Sequence, residues 1–289
     1  MTLTEQVNAA VAELSADITN NKLDLPSSPD IIVKVRALAH NDKSSNEDLV
    51  NLVKHDPNIS GRIIKIANSA LFGSRIHVSS VQAAVTRLGF TRIQYLITGL
   101  VIAQNFMNAK SRGLESYFNE IWQQSNMISA LCYVIASQKT DIDPEQALLA
   151  GMVHNIGVLP IVLRLKKIPA FTDQPKLLIH ITNQVVPKLY QKAGKMILDK
   201  WNFSPVIASV VMTHTMLERQ SIGPINLDDI VLVACELNKL SDFTNSETIP
   251  LALINSQMFQ KLWTIWDEAA NNLSQLKEQI EQININIEK

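Results

Sequence analysis

Glycine is scarce, with nine residues in a chain of 289, less than half the usual share of roughly 7%. Eleven prolines add few turns. An all-β chain needs a turn every few residues, so a many-stranded sandwich is excluded, and a glycine-rich nucleotide cradle with it. Two cysteines, Cys132 and Cys235, cannot build a disulfide scaffold or a cysteine-based zinc knuckle. Both sit in apolar helical patterns and read as core. No basic residue precedes Lys22, which argues against a secretory signal. No apolar run is read as approaching the ~20 residues that span a bilayer. The expectation is a cytoplasmic chain with no membrane partner.

What is present is an ordinary globular composition, 46% apolar and 18% charged, long enough for one large domain or two small ones. A net charge of −1 hides an uneven distribution. Residues 22–112 carry twelve Lys and Arg against six Asp and Glu, whereas residues 113–289 carry fourteen against eighteen. The basic block leaves two readings, an anionic partner or two subdomains with unlike surfaces.

The periodic signal is helical almost throughout. Leu3, Val7, Val11, Leu14 and Ile18 recur at three- and four-residue steps, behind a capping-box pattern at Thr2 to Glu5. Further starts are predicted at Ser28-Pro29, Ser44-Ser45, Asp56-Pro57, Ser79-Ser80, Thr91, Asp143-Pro144 and Ser204-Pro205, where a capping side chain often precedes a proline that has no N–H to lose. Long apolar-periodic stretches cover about 117–136, 144–155, 185–201, 205–217 and 227–240. No period-2 strand or Asn-Gly hairpin turn occurs, so the fold class is all-α. The polar Lys110 to Gly113 stretch is the best internal boundary. It gives an N-terminal helical subdomain over 1–112, a helical core over 113–245 and a C-terminal extension over 246–289. In that extension Trp266, Ala269, Leu273, Leu276, Ile280, Ile283 and Ile287 form a heptad seam, which suits a brace on its own domain or a homodimer or partner contact. Asn272, Gln279 and Asn286 flank it with neutral groups that would specify a partner poorly.

Two segments carry a resemblance. Asp56-Pro57 through Asn68-Ser69-Ala70, Phe72 and Gly73, followed by Ser79-Ser80 and Arg87-Leu88-Gly89, resembles the HDOD domain, a bacterial family named as an HD-related output module. The Gly151-Met152-Val153-His154-Asn155-Ile156-Gly157 segment is similar to the core of the HD phosphohydrolases, to which HDOD domains are related. The resemblance implies a multi-helical fold with the N-terminal subdomain packed on an HD-like core. Active HD enzymes hold metal with a His-Asp pair and further histidines, since hydrolysis uses a metal-bound water. This chain departs from that set. Gln124, Asn155, Tyr190 and Thr215 stand at ligand positions, the final Asp falls near Cys235, and only His154 and His214 remain as imidazoles.

The functional expectation follows from that departure: a non-catalytic signalling or regulatory module, with no metal or other cofactor, acting on unknown signalling proteins. An atypical metal-dependent phosphohydrolase is the alternative. A third reading, nucleic-acid binding through Arg62, Lys65, Arg75, Arg87 and Arg92, has few aromatics for stacking and is set below a solvated basic face. His154 and His214 read either as weak metal ligands or as buried, hydrogen-bonded histidines. Asn155 is expected to bond His154 or the facing helix and to hold the old site closed. Asn68 and Ser69 are expected to satisfy free backbone groups where the Asp56 helix ends, with Phe72 plugging the core.

Overall fold

The computed structural model describes residues 2–25, 29–41, 43–68, 77–108, 114–137, 140–172, 174–240 and 249–262. Among the described residues the chain is all helix and turn, with no strand. The first part holds α1 (Leu3–Thr19), α2 (Asp30–Ala39), α3 (Asn46–Val53), α4 (Pro57–Ala67), α5 (Val81–Leu88) and α6 (Phe90–Asn108). The second holds α7 (Glu115–Ser137), α8 (Pro144–Val153), α9 (Val158–Lys166), α10 (Pro169–Thr172), α11 (Pro175–Lys200), α12 (Pro205–Thr213), α13 (Leu227–Leu237) and α14 (Leu251–Ile254).

Local chemistry sets most of the starts. Thr2 and Glu5 close a capping box on α1, and Ser45 and Asp48 close another on α3. Asp56 accepts the N–H groups of Asn58 and Ile59, both at 3.0 Å, with Pro57 in the first turn of α4. Asp143 and Ser204 do the same ahead of Pro144 and Pro205. Each such side chain relieves backbone donors that have no partner inside the helix, an effect of about 0.5–2 kcal/mol. Gly89 takes a positive φ of 84° and ends α5.

Several expectations are corrected. Pro29 itself is the N-cap of α2, with no side-chain cap, and Ser28 lies outside the described residues. Helix α9 was not anticipated, and α11 begins at Pro175, well before 185. Asn68 ends α4, but its side chain does not serve the helix. Its amide clamps Val78 instead, donating to the carbonyl at 2.7 Å and accepting the N–H at 2.9 Å. Ser69, Phe72 and Gly73 lie outside the described residues, as do Arg75 and the heptad seam from Trp266 to Ile287.

Helices α2 to α6 pack on one another, and α6 carries them onto α8 and α7. The α7–α8 pair is the most extensive helix contact, and α11 rests on α9, α12 and α1. Thus α1 belongs by packing to the second half, although it precedes residue 112. Arg164 of α9 pairs with Glu13 and Asp17 of α1. One continuous apolar cluster runs from Val7 to Leu262 through both halves, and Cys132 and Cys235 are free and buried within it.

Two arginines of the basic block fasten the halves together. Arg36 donates to the carbonyl of Trp201 at 2.8 Å and to that of Asn202, and lies 4.8 Å from the centre of the Phe203 ring. Arg92 of α6 forms an ion pair with buried Glu145 of α8. Arg87 bonds the Ala67 carbonyl at 3.0 Å. Arg87 and Arg92 are therefore internal fasteners, not parts of a solvated basic face.

The start of the C-terminal extension joins the body of the fold. Leu253, Met258, Phe259 and Leu262 are buried. The Gln257 side chain accepts the Ser221 N–H at 3.0 Å, and the Lys261 ammonium lies 3.5 Å from Asp229, a fully buried carboxylate that also pairs with Arg219.

The stretch Pro144–Lys166 is long and apolar enough to cross a membrane by length and composition. Here it is bent into α8 and α9 at His154 to Gly157, and 89% of its most apolar window is buried inside the fold.

Candidate functional site: a closed histidine pair

The bend between α8 and α9 is where the conspicuous residues meet. A helix crossing this close demands glycine, because a Cβ on Gly157 would collide with the Tyr190 carbonyl and the backbone of Gly194. A Cβ on Gly151 would lie 2.6 Å from the Ser129 Cα of α7. Backbone atoms cannot step aside as a flexible side chain can. Gly151, Gly157 and Gly194 therefore set the spacing of α7, the bend and α11.

His154 closes α8, and His214 closes α12. Sixty residues apart in sequence, their rings meet edge to face with centres 5.1 Å apart. Both are buried. The Nδ1 of His154 lies 2.6 Å from the Gly151 carbonyl, and the Nδ1 of His214 lies 3.0 Å from the Val210 carbonyl. A carbonyl only accepts, so these partners assign the proton to Nδ1 in each ring. Each Nε2 is then a bare acceptor. That of His214 is taken by the Tyr190 hydroxyl, which donates to it at 2.8 Å.

The electrostatics keep the pair neutral. Burial, with the His214 ring as the next cause, holds His154 down at about 3. Burial lowers His214 as well. Burial also pushes Tyr190 well above the ordinary phenol range and the Cys235 thiol up to about 12. At neutral pH no group in this cluster carries a charge.

Asn155 is tied elsewhere. Its Nδ2 donates to the Ser125 Oγ of α7 at 2.8 Å, and that hydroxyl has two acceptors in reach, the Ile121 carbonyl at 2.7 Å and Asn155 Oδ1 at 3.1 Å. The amide thus joins the bend to α7, the facing helix. Gln124 is exposed on the rim, and Thr215 is exposed beyond α12, where it accepts from Gln191 at 2.9 Å. Sequence reasoning placed Tyr190 and Thr215 by motif position, but it missed Ser125 as the partner of Asn155. It also missed the cavity of about 500 Å³ that opens over His154 and Asn155. Mid-helix Pro187, on the cavity wall, was its one visible sign.

The chain belongs to the HDOD family: the model of the HDOD domain matches residues 25–217. Among solved structures, it resembles a provisionally assigned metal-dependent phosphohydrolase from Shewanella amazonensis SB2B. The two are 22% identical, with a TM-score of 0.73, over 98% of this chain and 99% of that one. An HDOD domain protein of unknown function from Geobacter sulfurreducens is 18% identical, with a TM-score of 0.65, over 97% and 99% of the two chains. An uncharacterized protein of Treponema pallidum (strain Nichols) is 21% identical over 267 residues, which are 86% of this chain and 49% of that protein. The chain therefore spans about half the length of the curated relative it matches.

The family's kinship with HD phosphohydrolases implies a metal at this place, and the donors present do not fit one. Structural and catalytic zinc sites use three or four nitrogen, sulfur or carboxylate ligands, and hard cations want several carboxylate oxygens. Here two imidazoles meet, one already engaged by a phenol, and no cluster of three His, Cys, Asp or Glu stands among the described residues. Asn155 supplies a neutral amide where a bridging carboxylate would offset the ion's charge.

Proposed function

We propose that this HDOD chain is a non-catalytic signalling or regulatory module that acts through contacts with other proteins. The observation that carries the reading is that neutral hydrogen bonds engage most of the residues at the HD ligand positions: Tyr190 bonds His214, His154 bonds Gly151 through Nδ1, and Asn155 bonds Ser125. A hydrolytic metal must hold water and lower its pKa toward ~7 through turnover, and this neutral set offers it one free imidazole nitrogen. The phosphohydrolase assignment of the Shewanella relative marks the competing reading. The test is elemental analysis of protein purified without chelator, with nucleotide and cyclic-dinucleotide hydrolysis assayed in added manganese. The expected result is no stoichiometric transition metal and no turnover. Metal or turnover that disappears in a His154→Ala variant would overturn the reading.

The partner-facing element we propose is the heptad seam from Trp266 to Ile287. Removing residues 266–289 should convert a dimer to a monomer in light scattering, or abolish capture of a partner protein, while the helical fold persists. An unchanged mass together with unchanged capture would reject the seam as the contact.

A further inference from the structure

A second cavity, of about 390 Å³, lies between the two halves of the fold, walled by residues of α2 and α6 on one side and of α8 and the turn into α12 on the other. That volume falls within the usual range for small-molecule sites, about 300–1,000 Å³. Its charge is one-sided. Arg36 is the one permanently charged side chain in the lining, and no Asp or Glu lines it among the described residues. Two guanidinium N–H groups go to the carbonyls of Trp201 and Asn202. Those acceptors are neutral, so they orient the guanidinium without cancelling its charge, and they leave its other N–H donors open. No carboxylate pairs with Arg36 among the described residues, and burial alone lowers its pKa. Asp143 and Glu145 act on neighbouring Tyr95, but Asp143 caps α8 and Glu145 is held by Arg92.

A partly buried cation without a counter-ion is unfavourable, and an anion entering the cleft relieves it. The other polar lining groups include the amides of Gln94, Gln146 and Asn202 and the Tyr95 hydroxyl. These both donate and accept, so they suit a ligand of either sign, and the fixed cation decides between the two. The apolar walls, Leu149, Phe203, Pro205 and Ile207, suit a compact hydrocarbon body. One fixed cation matches one negative charge. We propose that this cleft binds a small organic carboxylate, an apolar body with a single anionic head, which seats the head on Arg36 and bridges the two halves. No residue of the HD position lines the cleft among the described residues, so the inference is independent of the regulatory reading.

The probes are benzoate, benzamide and benzamidine, titrated into the full chain by calorimetry and saturation-transfer NMR. The three share one shape and carry a negative, a zero and a positive charge, so together they read the sign of the site. Benzoate should bind saturably, benzamide about tenfold more weakly, and benzamidine not at all. Acetate, the head without the body, should also bind about tenfold more weakly than benzoate. Two variants locate the site. Gln146→Glu leaves the bonds of Arg36 to Trp201 and Asn202 in place and adds an acid to the lining, in the first turn of α8 where an acid is favourable. Arg36→Gln removes the charge. Benzoate affinity should fall about tenfold or more, some 1.4 kcal/mol, in each variant that retains the wild-type circular dichroism. The proposal is overturned if the wild type shows no saturable benzoate binding, or if benzamide, benzamidine or acetate binds as tightly as benzoate. Benzoate affinity unchanged in a folded variant would overturn it equally.

Discussion

Two buried polar regions of this molecule have opposite characters. At the junction of α6 and α8, Glu145 is buried against Arg92, with Asp143 nearby and the phenols of Tyr95 and Tyr133 within electrostatic reach. At the HD position, His154, His214, Tyr190 and Asn155 are all neutral and bonded to carbonyls, a hydroxyl or each other. Ionic chemistry thus survives inside the fold where it fastens the two halves, and it is missing where a hydrolase would use it. The contrast is one of placement: Glu145 joins α8 to α6, whereas His154, His214, Tyr190 and Asn155 are held by neutral hydrogen bonds.

The comparison breaks most severely at Gly157. A methyl there would strike the backbone of α11 at Tyr190 and Gly194, and neither backbone can yield without moving the whole helix. Gly157→Ala should cost about 4 kcal/mol or more, read as a large drop in the melting midpoint or failure to fold. A midpoint within a degree or two of wild type would mean that α9 and α11 do not cross so closely.

The two regions should also differ in their response to pH. Burial, with Asp143 adding to it, pushes Glu145 up to about 7 against the opposing pull of Arg92. An acid raised in the folded state keeps its proton there longer. Its contribution is fully present below about 4.5 and is lost as pH climbs toward about 7. His154, held down at about 3, does the reverse: its contribution is present above about 6.5 and is lost as pH falls toward about 3. Denaturation midpoints measured across this window should therefore lose their fall toward pH 7 in Glu145→Gln and their fall toward acid in His154→Phe. Parallel curves for wild type and both variants would contradict the assignment.

The smallest effect lies away from both regions. Asp56→Ala removes a cap from an otherwise intact helix and should cost about 0.5–2 kcal/mol, visible as a modest shift in midpoint. Asn at this position should restore most of it, since its side-chain oxygen caps equally well.

The sequence was most legible where the physics is local. Asp56-Pro57, Asp143-Pro144 and Ser204-Pro205 announce helix starts within three residues, and the structure places the helices there. Partners distant in sequence were not legible. Nothing local tells α1 to pack on α11 and α9 rather than on α2 to α6. Glu145 reads as an ordinary first-turn acid, yet it is buried against Arg92 of another helix. The positions of His154 and His214 were recoverable from their motifs. Their contact, and the Ser125 hydroxyl that occupies Asn155, required the close crossings set by Gly151 and Gly157.

The central claim is that the HD position is a neutral set of hydrogen-bonded groups with one free imidazole nitrogen, that of His154. Nitrogen-15 NMR of the imidazoles tests it most directly, with the signals of the pair assigned through His154→Phe. The account predicts that His154 and His214 are neutral at pH 7 with the proton on Nδ1, that His154 takes a second proton only as pH falls toward about 3 and His214 only below the ordinary histidine range, and that neither shifts on addition of zinc. Titration of either ring near the ordinary histidine value of about 6.5, or a zinc-induced shift of both Nε2 signals, would contradict it.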